Sequence, residues 1–213
     1  MTKKLNHLIN DALRSHLNGN LENARLLYQE ILAVDSENPT ALGWMGVIEA
    51  QQKNYDIAEK LLLKALSKEK NNPDFLLNYA VLLMEKKQFH NAIALFEKLI
   101  RQSPTDPILF ANLVICYNEE NQPGLSLRIA DQAIQLKPDY VEVWFNRGNA
   151  LNNLKRHDEA LVSYKQAVTL NPSFVDAWFN YGATLDELKH YDEALVSFER
   201  ALALKPDLRG SLE

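Results

Sequence analysis

Residues 141–174 read VEVWFNRGNALNNLKRHDEALVSYKQAVTLNPSF, and residues 175–208 read VDAWFNYGATLDELKHYDEALVSFERALALKPDL. The two stretches are identical at 17 of 34 positions without a gap. Stepping back by 34 from Asn180 gives Asn146, Asn112 and Asn78, and then Trp44. The same step from Ala194 gives Ala160, Ser126, Ala92, Ala58 and Ala24, and from Gly182 it gives Gly148, Val114, Ala80, Gly46 and Ala12. Prolines keep the same rhythm in two series, Pro39/Pro73/Pro107 and Pro104/Pro138/Pro172/Pro206. Self-similarity at a fixed period is the signature of stacked supersecondary units.

Each unit reads as two helices. In the last, Trp178, Leu185 and Leu188 share one side of the first segment, with the small Gly182 between them. That spacing is helical, not alternating. Lys189-His190-Tyr191 is expected to form the turn. Asp192-Glu193 then opens the second helix, where carboxylates suit the positive end of the dipole. Ala194, Leu195, Phe198, Ala201, Leu202 and Leu204 form its apolar stripe, and Pro206 ends it because Pro cannot continue the hydrogen-bond ladder. Gly182 and Ala194 let the paired helices approach closely; a bulky side chain there would pry them apart.

Composition agrees. The chain has 213 residues, 46% hydrophobic and 24% charged, enough to bury a core and stay in solution. Only 7 Gly and 8 Pro disfavour a loop-rich all-β fold. Lys+Arg 23 against Asp+Glu 28 gives a net charge of −5, so nucleic acid is not an expected partner. The single cysteine, Cys116, excludes an internal disulfide framework. No apolar stretch is long enough to span a membrane, and the first ten residues lack a signal-like apolar core, so a cytoplasmic location is expected.

The residues resemble a known family. A small eighth position, Ala at the twentieth, an aromatic at the twenty-fourth (Tyr28, Phe96, Tyr164, Phe198) and Pro at the thirty-second are similar to the tetratricopeptide repeat (TPR). The resemblance implies an all-α fold, a right-handed superhelical solenoid of six helix-turn-helix units. They tile residues 5–38, 39–72, 73–106, 107–140, 141–174 and 175–208, with an N-terminal extension at 1–4 and a tail at 209–213. Repeat four departs from the pattern, with Pro123, Gly124, Ser126 and Ala130. Its second helix is expected to start late or pack loosely. The tail is too short for a closing helix, so the apolar side of repeat six is expected to lie open, either in a fragment of a longer protein or against a second copy.

No catalytic constellation emerges, so the chain reads as non-enzymatic, with no metal or cofactor. The histidines His7, His16, His90, His157 and His190 show no metal spacing and read as solvated turn residues. Cys116 falls at a core-facing position, without a histidine to activate it. There is no Gly-rich phosphate loop and no Gly-x-Ser-x-Gly.

By resemblance, the first helix of each unit lines the concave face. Its fifth and ninth positions are mainly apolar: Ile9, Leu13, Val47, Leu77, Val81, Ala111, Ile115, Phe145, Phe179 and Ala183. The sixth position is a line of amides, Asn78, Asn112, Asn146 and Asn180, extended by Asn149 and Asn152, with Trp44 taking that place in repeat two. The charges in this lane are all acidic: Asp74, Glu85, Glu119, Glu142, Asp176, Asp186 and Glu187. A primary amide offers a donor and an acceptor, so the line can pair with a peptide backbone, or serve only local hydrogen bonds. Phe145 and Phe179 are expected to be exposed anchors, or else to pack on a neighbouring repeat. The acidic border favours a ligand bearing Lys or Arg. Members of the family that grip a C-terminal carboxylate do so with groove Lys and Arg, which are missing here.

The expected function is therefore a protein–protein interaction module. It binds a protein or peptide segment, extended or helical and carrying basic residues. The amide line and the phrases Trp144–Leu151 and Asp158–Tyr164 also resemble the repeat arms of O-linked N-acetylglucosamine transferases and their bacterial relatives. That keeps open a substrate-recruiting arm of a larger glycosyltransferase-like enzyme. A self-associating scaffold, a homo-oligomer through the uncapped repeat, is the third reading.

Overall fold

A computed structural model describes residues 2–206, with side chains from residue 4 onward. Among them are twelve α-helices: α1 Thr2–Leu17, α2 Leu21–Val34, α3 Pro39–Gln51, α4 Tyr55–Lys68, α5 Pro73–Glu85, α6 Phe89–Gln102, α7 Pro107–Glu119, α8 Pro123–Leu136, α9 Val141–Asn153, α10 His157–Leu170, α11 Val175–Glu187 and α12 Tyr191–Leu204. The all-α expectation holds. From α3 onward the odd helices begin at 39, 73, 107, 141 and 175, and the even ones at 55, 89, 123, 157 and 191. The 34-residue step of the sequence is thus a step of the backbone.

The turn inside each hairpin repeats too. Gly19, Lys53, Lys87, Asn121, Lys155 and Lys189 all have positive φ, between 52° and 75°. This left-handed residue reverses the chain in a short space. Gly19 adopts it freely, whereas the four lysines adopt it against their own preference. Tyr191 is not part of the last turn, as expected, but the first residue of α12.

Caps follow the same register. Asn38, Asn72 and Asp106 accept hydrogen bonds from the backbone N–H groups of Ala41, Phe75 and Ile108 at 3.1, 3.1 and 3.0 Å. Pro39, Pro73 and Pro107 follow at N1, where the missing N–H costs nothing. Tyr140 and Phe174 occupy the cap positions of α9 and α11 with no side-chain cap bond. Phe174 instead packs its ring 4.8 Å from that of Phe145.

The described residues fall into two compact units, one ending at Leu95 and the other beginning at Phe96, with the boundary inside α6. In the first, α1 to α5 pack in chain order. One core gathers Ala12, Ala24, Tyr28, Ile31, Ala41 and Ile48; the next gathers Leu42, Ala58, Leu62, Ala65, Phe75 and Leu82. In the second, α7 to α12 pack in chain order, around Leu151, Ala160 and Tyr164 and around Ala167, Val168 and Ala177. The twentieth position of each unit, Ala24, Ala58, Ala92, Ser126, Ala160 and Ala194, is buried throughout. A Cβ added at Gly182 would meet the Phe198 ring at 3.0 Å and Ala194 O at 3.2 Å, so the close approach read from the sequence is real.

Two further expectations fail. Helix α8 neither starts late nor packs loosely: it begins in register at Pro123, because Pro is at home at N1. Ser126 and Ala130 are fully buried, and Ser126 Oγ donates to Val114 O at 3.2 Å. Residues 2–4, ahead of the first 34-residue unit, belong to the first turn of α1. His16 is no solvated turn residue: it is half-buried, 4.9 Å from the Trp44 ring and 6.3 Å from that of Tyr28. The tail 209–213 lies outside the described residues.

Candidate functional site

In the second unit, α7, α9 and α11 bring their amides onto one surface. A depression of about 430 Å³ is lined by Asn118, Asn146, Asn149, Asn152, Asn153 and Asn180, with Glu119, Tyr164 and Ala183. The amides are not equivalent. Asn112 and Asn146 each donate one Nδ2–H to the carbonyl four residues earlier in their own helix, Ile108 O at 3.1 Å and Glu142 O at 2.8 Å. In the first unit Asn78 does the same to Asp74 O at 2.8 Å. A primary amide has a second N–H and a carbonyl, which the helix does not consume.

Asn180 departs from this pattern. It donates to Asn149 Oδ1 at 2.9 Å across the gap between α11 and α9, and the Tyr164 hydroxyl donates to the same oxygen at 2.8 Å. Burial pushes the Tyr164 hydroxyl well above its ordinary pKa, so it stays a neutral donor. Asn152 donates to Thr184 Oγ1 at 2.7 Å, and its Oδ1 lies 3.0 Å from His157 Nδ1. Asn118 reaches Asn146 O at 2.9 Å. Local bonds therefore hold these amides, and groups that those bonds do not use line a depression. Sequence reasoning missed Asn118 and Asn153, although Asn118 shares its repeat position with Asn152, and Asn153 shares its own with Glu119 and Glu187.

Phe145 and Phe179 are half-buried rather than exposed anchors. Phe145 packs against Tyr164 (6.0 Å between centroids) and Phe174, and Phe179 against Phe198 (5.6 Å). Each aromatic reaches a neighbouring helix because apolar area gains more from burial than from water. Asp186 and the six other carboxylates of the lane are exposed. Glu187 lies 3.2 Å from His157 Nε2.

The first unit carries a different depression, of about 380 Å³, lined by Val47, Ala50, Val81, Leu82, Tyr55, Asn78 and Glu85 among others. Val81 is 38% exposed there. Lys53 joins it from the α3–α4 turn, a cation that the lane positions did not anticipate. Leu77 is half-buried. Trp44 is half-buried too, between His16 and Phe75 (6.3 Å), and packs on both cores of the unit rather than facing a groove. Its ring finds aromatic partners at the position where Asn78, Asn112 and Asn146 bond their own helices.

Cys116 is fully buried, and burial first, then the charge of Glu120, pushes its thiol up to about 12. A neutral buried thiol is inert. Among the described residues no helix is long and apolar enough to cross a membrane.

Family models of the tetratricopeptide repeat match residues 16–77, 50–114, 141–174 and 175–208. No curated protein sequence is significantly similar to the chain. Among solved structures, the crystal structure of MamA protein is 21% identical, with a TM-score of 0.71, covering 81% of this chain and 94% of its own. YrrB, described as a TPR protein with an unusual peptide-binding site, is 22% identical, with a TM-score of 0.68 and coverages of 84% and 93%. A MamA double mutant reaches 0.73 at 15% identity, covering 81% of this chain and 97% of its own. These likenesses show the fold.

Proposed function

Since the chain belongs to the tetratricopeptide repeat family, we propose that it is a non-catalytic protein–protein interaction module that holds a polypeptide segment on its odd-numbered helices. The observation that carries this reading is the amide-lined depression of the second unit, where Asn118, Asn146, Asn149, Asn152, Asn153 and Asn180 converge. Unused amide N–H and C=O groups match the alternating acceptors and donors of a peptide backbone, whatever its side chains. The exposed carboxylates Glu119, Glu142, Asp176 and Asp186 favour a segment that carries Lys or Arg. The first unit has its own Val47–Val81–Leu82 depression, which suits apolar side chains. A protein of the same fold, YrrB, is described as binding peptide.

The amides divide into those that can be removed safely and those that cannot. Asn112 and Asn146 are tied only to their own helices or to a single neighbour, so Asn112→Ala with Asn146→Ala leaves the fold intact. Peptides are first selected on the intact chain from a random display library. They bind the double variant at least roughly fivefold more weakly, because two polar ligand contacts are lost. A library that yields no binder, or binders indifferent to both substitutions, contradicts the reading.

Self-association is the second reading, and exposed apolar residues of α12 favour it. Leu195 is 59% exposed, whereas its counterpart Leu161 is half-buried; Phe198 is half-buried, whereas Tyr164 is fully buried. Sedimentation over a hundredfold range of concentration yields a growing dimer if this surface pairs, and a constant monomer if it does not.

A further inference from the structure

Repeats five and six carry one surface feature in two forms. In the fifth, the Arg147 guanidinium lies 5.9 Å from the Trp144 ring centroid. It donates through Nη1 to Ser163 Oγ at 2.7 Å and through Nε to Asp131 Oδ1 on α8, also at 2.7 Å. Thirty-four residues on, Trp178, Ser197 and Val196 reproduce Trp144, Ser163 and Val162, but Tyr181 stands in place of the arginine. There a depression of about 330 Å³ opens, lined by Trp178, Tyr181, Asp192, Glu193, Val196 and Ser197. It is not simply an uncovered end of the stack, because Val162 and Val196 are exposed to similar degrees, 64% and 56%.

A second arginine is exchanged in the same place. Glu159 accepts from Arg156 Nε at 2.6 Å and Nη2 at 2.7 Å. Its counterpart Glu193 has His190 in place of the arginine, with Nδ1 3.6 Å away and a charge only when protonated. Asp131 on α8 gives way to Lys165 on α10, so the carboxylates that remain at the depression are those of the first turn of α12. Repeat six thus keeps the indole, the serine and the Asp-Glu pair that opens the second helix, and loses both guanidinium groups.

We propose that this depression receives an arginine side chain of a partner polypeptide, its guanidinium against the Trp178 ring and its N–H groups on Asp192 and Glu193. The ring quadrupole attracts a cation, and the planar fork of donors matches a carboxylate as a compact ammonium does not. One repeat earlier Arg147 shows the same group beside the equivalent indole and serine, held there by Asp131, so in repeat six the carboxylates must come from Asp192 and Glu193 instead. No residue is shared with the amide-lined depression, so this site stands or falls independently of the proposed peptide surface.

The test is an NMR titration of the full chain, following the Trp178 Nε1–H resonance, with Trp44 and Trp144 as internal references. The probes are three capped tripeptides, Ala-Arg-Ala, Ala-Lys-Ala and Ala-citrulline-Ala. The arginine peptide moves Trp178 saturably, the lysine peptide binds at least roughly threefold more weakly, and the neutral citrulline peptide does not bind. Asp192→Asn with Glu193→Gln weakens the arginine peptide by roughly tenfold or more. Tyr181→Arg, which restores the residue of the folded repeat five, abolishes binding by filling the depression from within. A Trp178 signal that stays still overturns the proposal. So does equal binding of arginine and citrulline, or binding that survives Tyr181→Arg.

Discussion

His16 shows how a single side chain escapes a reading by pattern. Its imidazole is half-buried against Trp44 and Tyr28, and its Nδ1 is buried without a partner. Burial lowers its pKa below the ordinary 6.5, since the charged form loses hydration. The unfolded chain therefore takes up the proton first, and the stabilising contribution is full above pH 6.5 and declines as pH falls below it. Urea midpoints are expected to fall between pH 7.5 and 5.5, and to fall less in His16→Phe; an identical decline in both proteins contradicts this. Gly148 is the second case. A Cβ there would lie 2.5 Å from the Tyr164 ring, which is itself buried and cannot swing away. Gly148→Val is expected to cost about 2 kcal/mol in urea unfolding, despite the poor helix propensity of glycine; a neutral result means the hairpin can open without loss.

Among elements, the caps and turns set the helix boundaries that the period alone leaves loose. Asn72 caps α5 through Phe75 N and is positioned by its own donation to Glu69 at 2.7 Å. Asn72→Ala should cost about 1 kcal/mol. Tyr140→Ala, at an equivalent position with no side-chain cap, should cost less in capping terms, and chemical denaturation of both variants checks the difference. Gly19 has open space for a Cβ, but φ is +75°, so Gly19→Ala should lose about 1 kcal/mol to backbone strain alone. No loss there would mean that the α1–α2 turn relaxes to another shape. The lysines at the same turn position were not legible as left-handed residues, because lysine carries no such signal. Only their 34-residue spacing marks them.

For the molecule as a whole, a period was readable and a surface was only partly so. Every hairpin, the buried twentieth positions and the inert Cys116 follow from residues that recur at one step, because each recurrence is one packing contact repeated. The amide surface follows from the same recurrence only as a list of neighbours along the odd helices. What that list cannot contain is the pairing between helices: Asn180 with Asn149, Asn118 with Asn146, Phe145 with Phe174. Trp44 turns inward for the same reason, since its destination depends on His16 and Phe75, far away in sequence. The loss of arginines from repeat six has meaning only beside the filled version in repeat five. The central claim, a polypeptide held along the amide surface, is tested most directly by side-chain amide NMR with a display-selected peptide. The account predicts that the Nδ2–H pairs of Asn112, Asn146 and Asn153 shift on binding, while residues of the even helices such as Gln132 and Gln166 do not. Shifts confined to the even helices, with those asparagines unmoved, would contradict it.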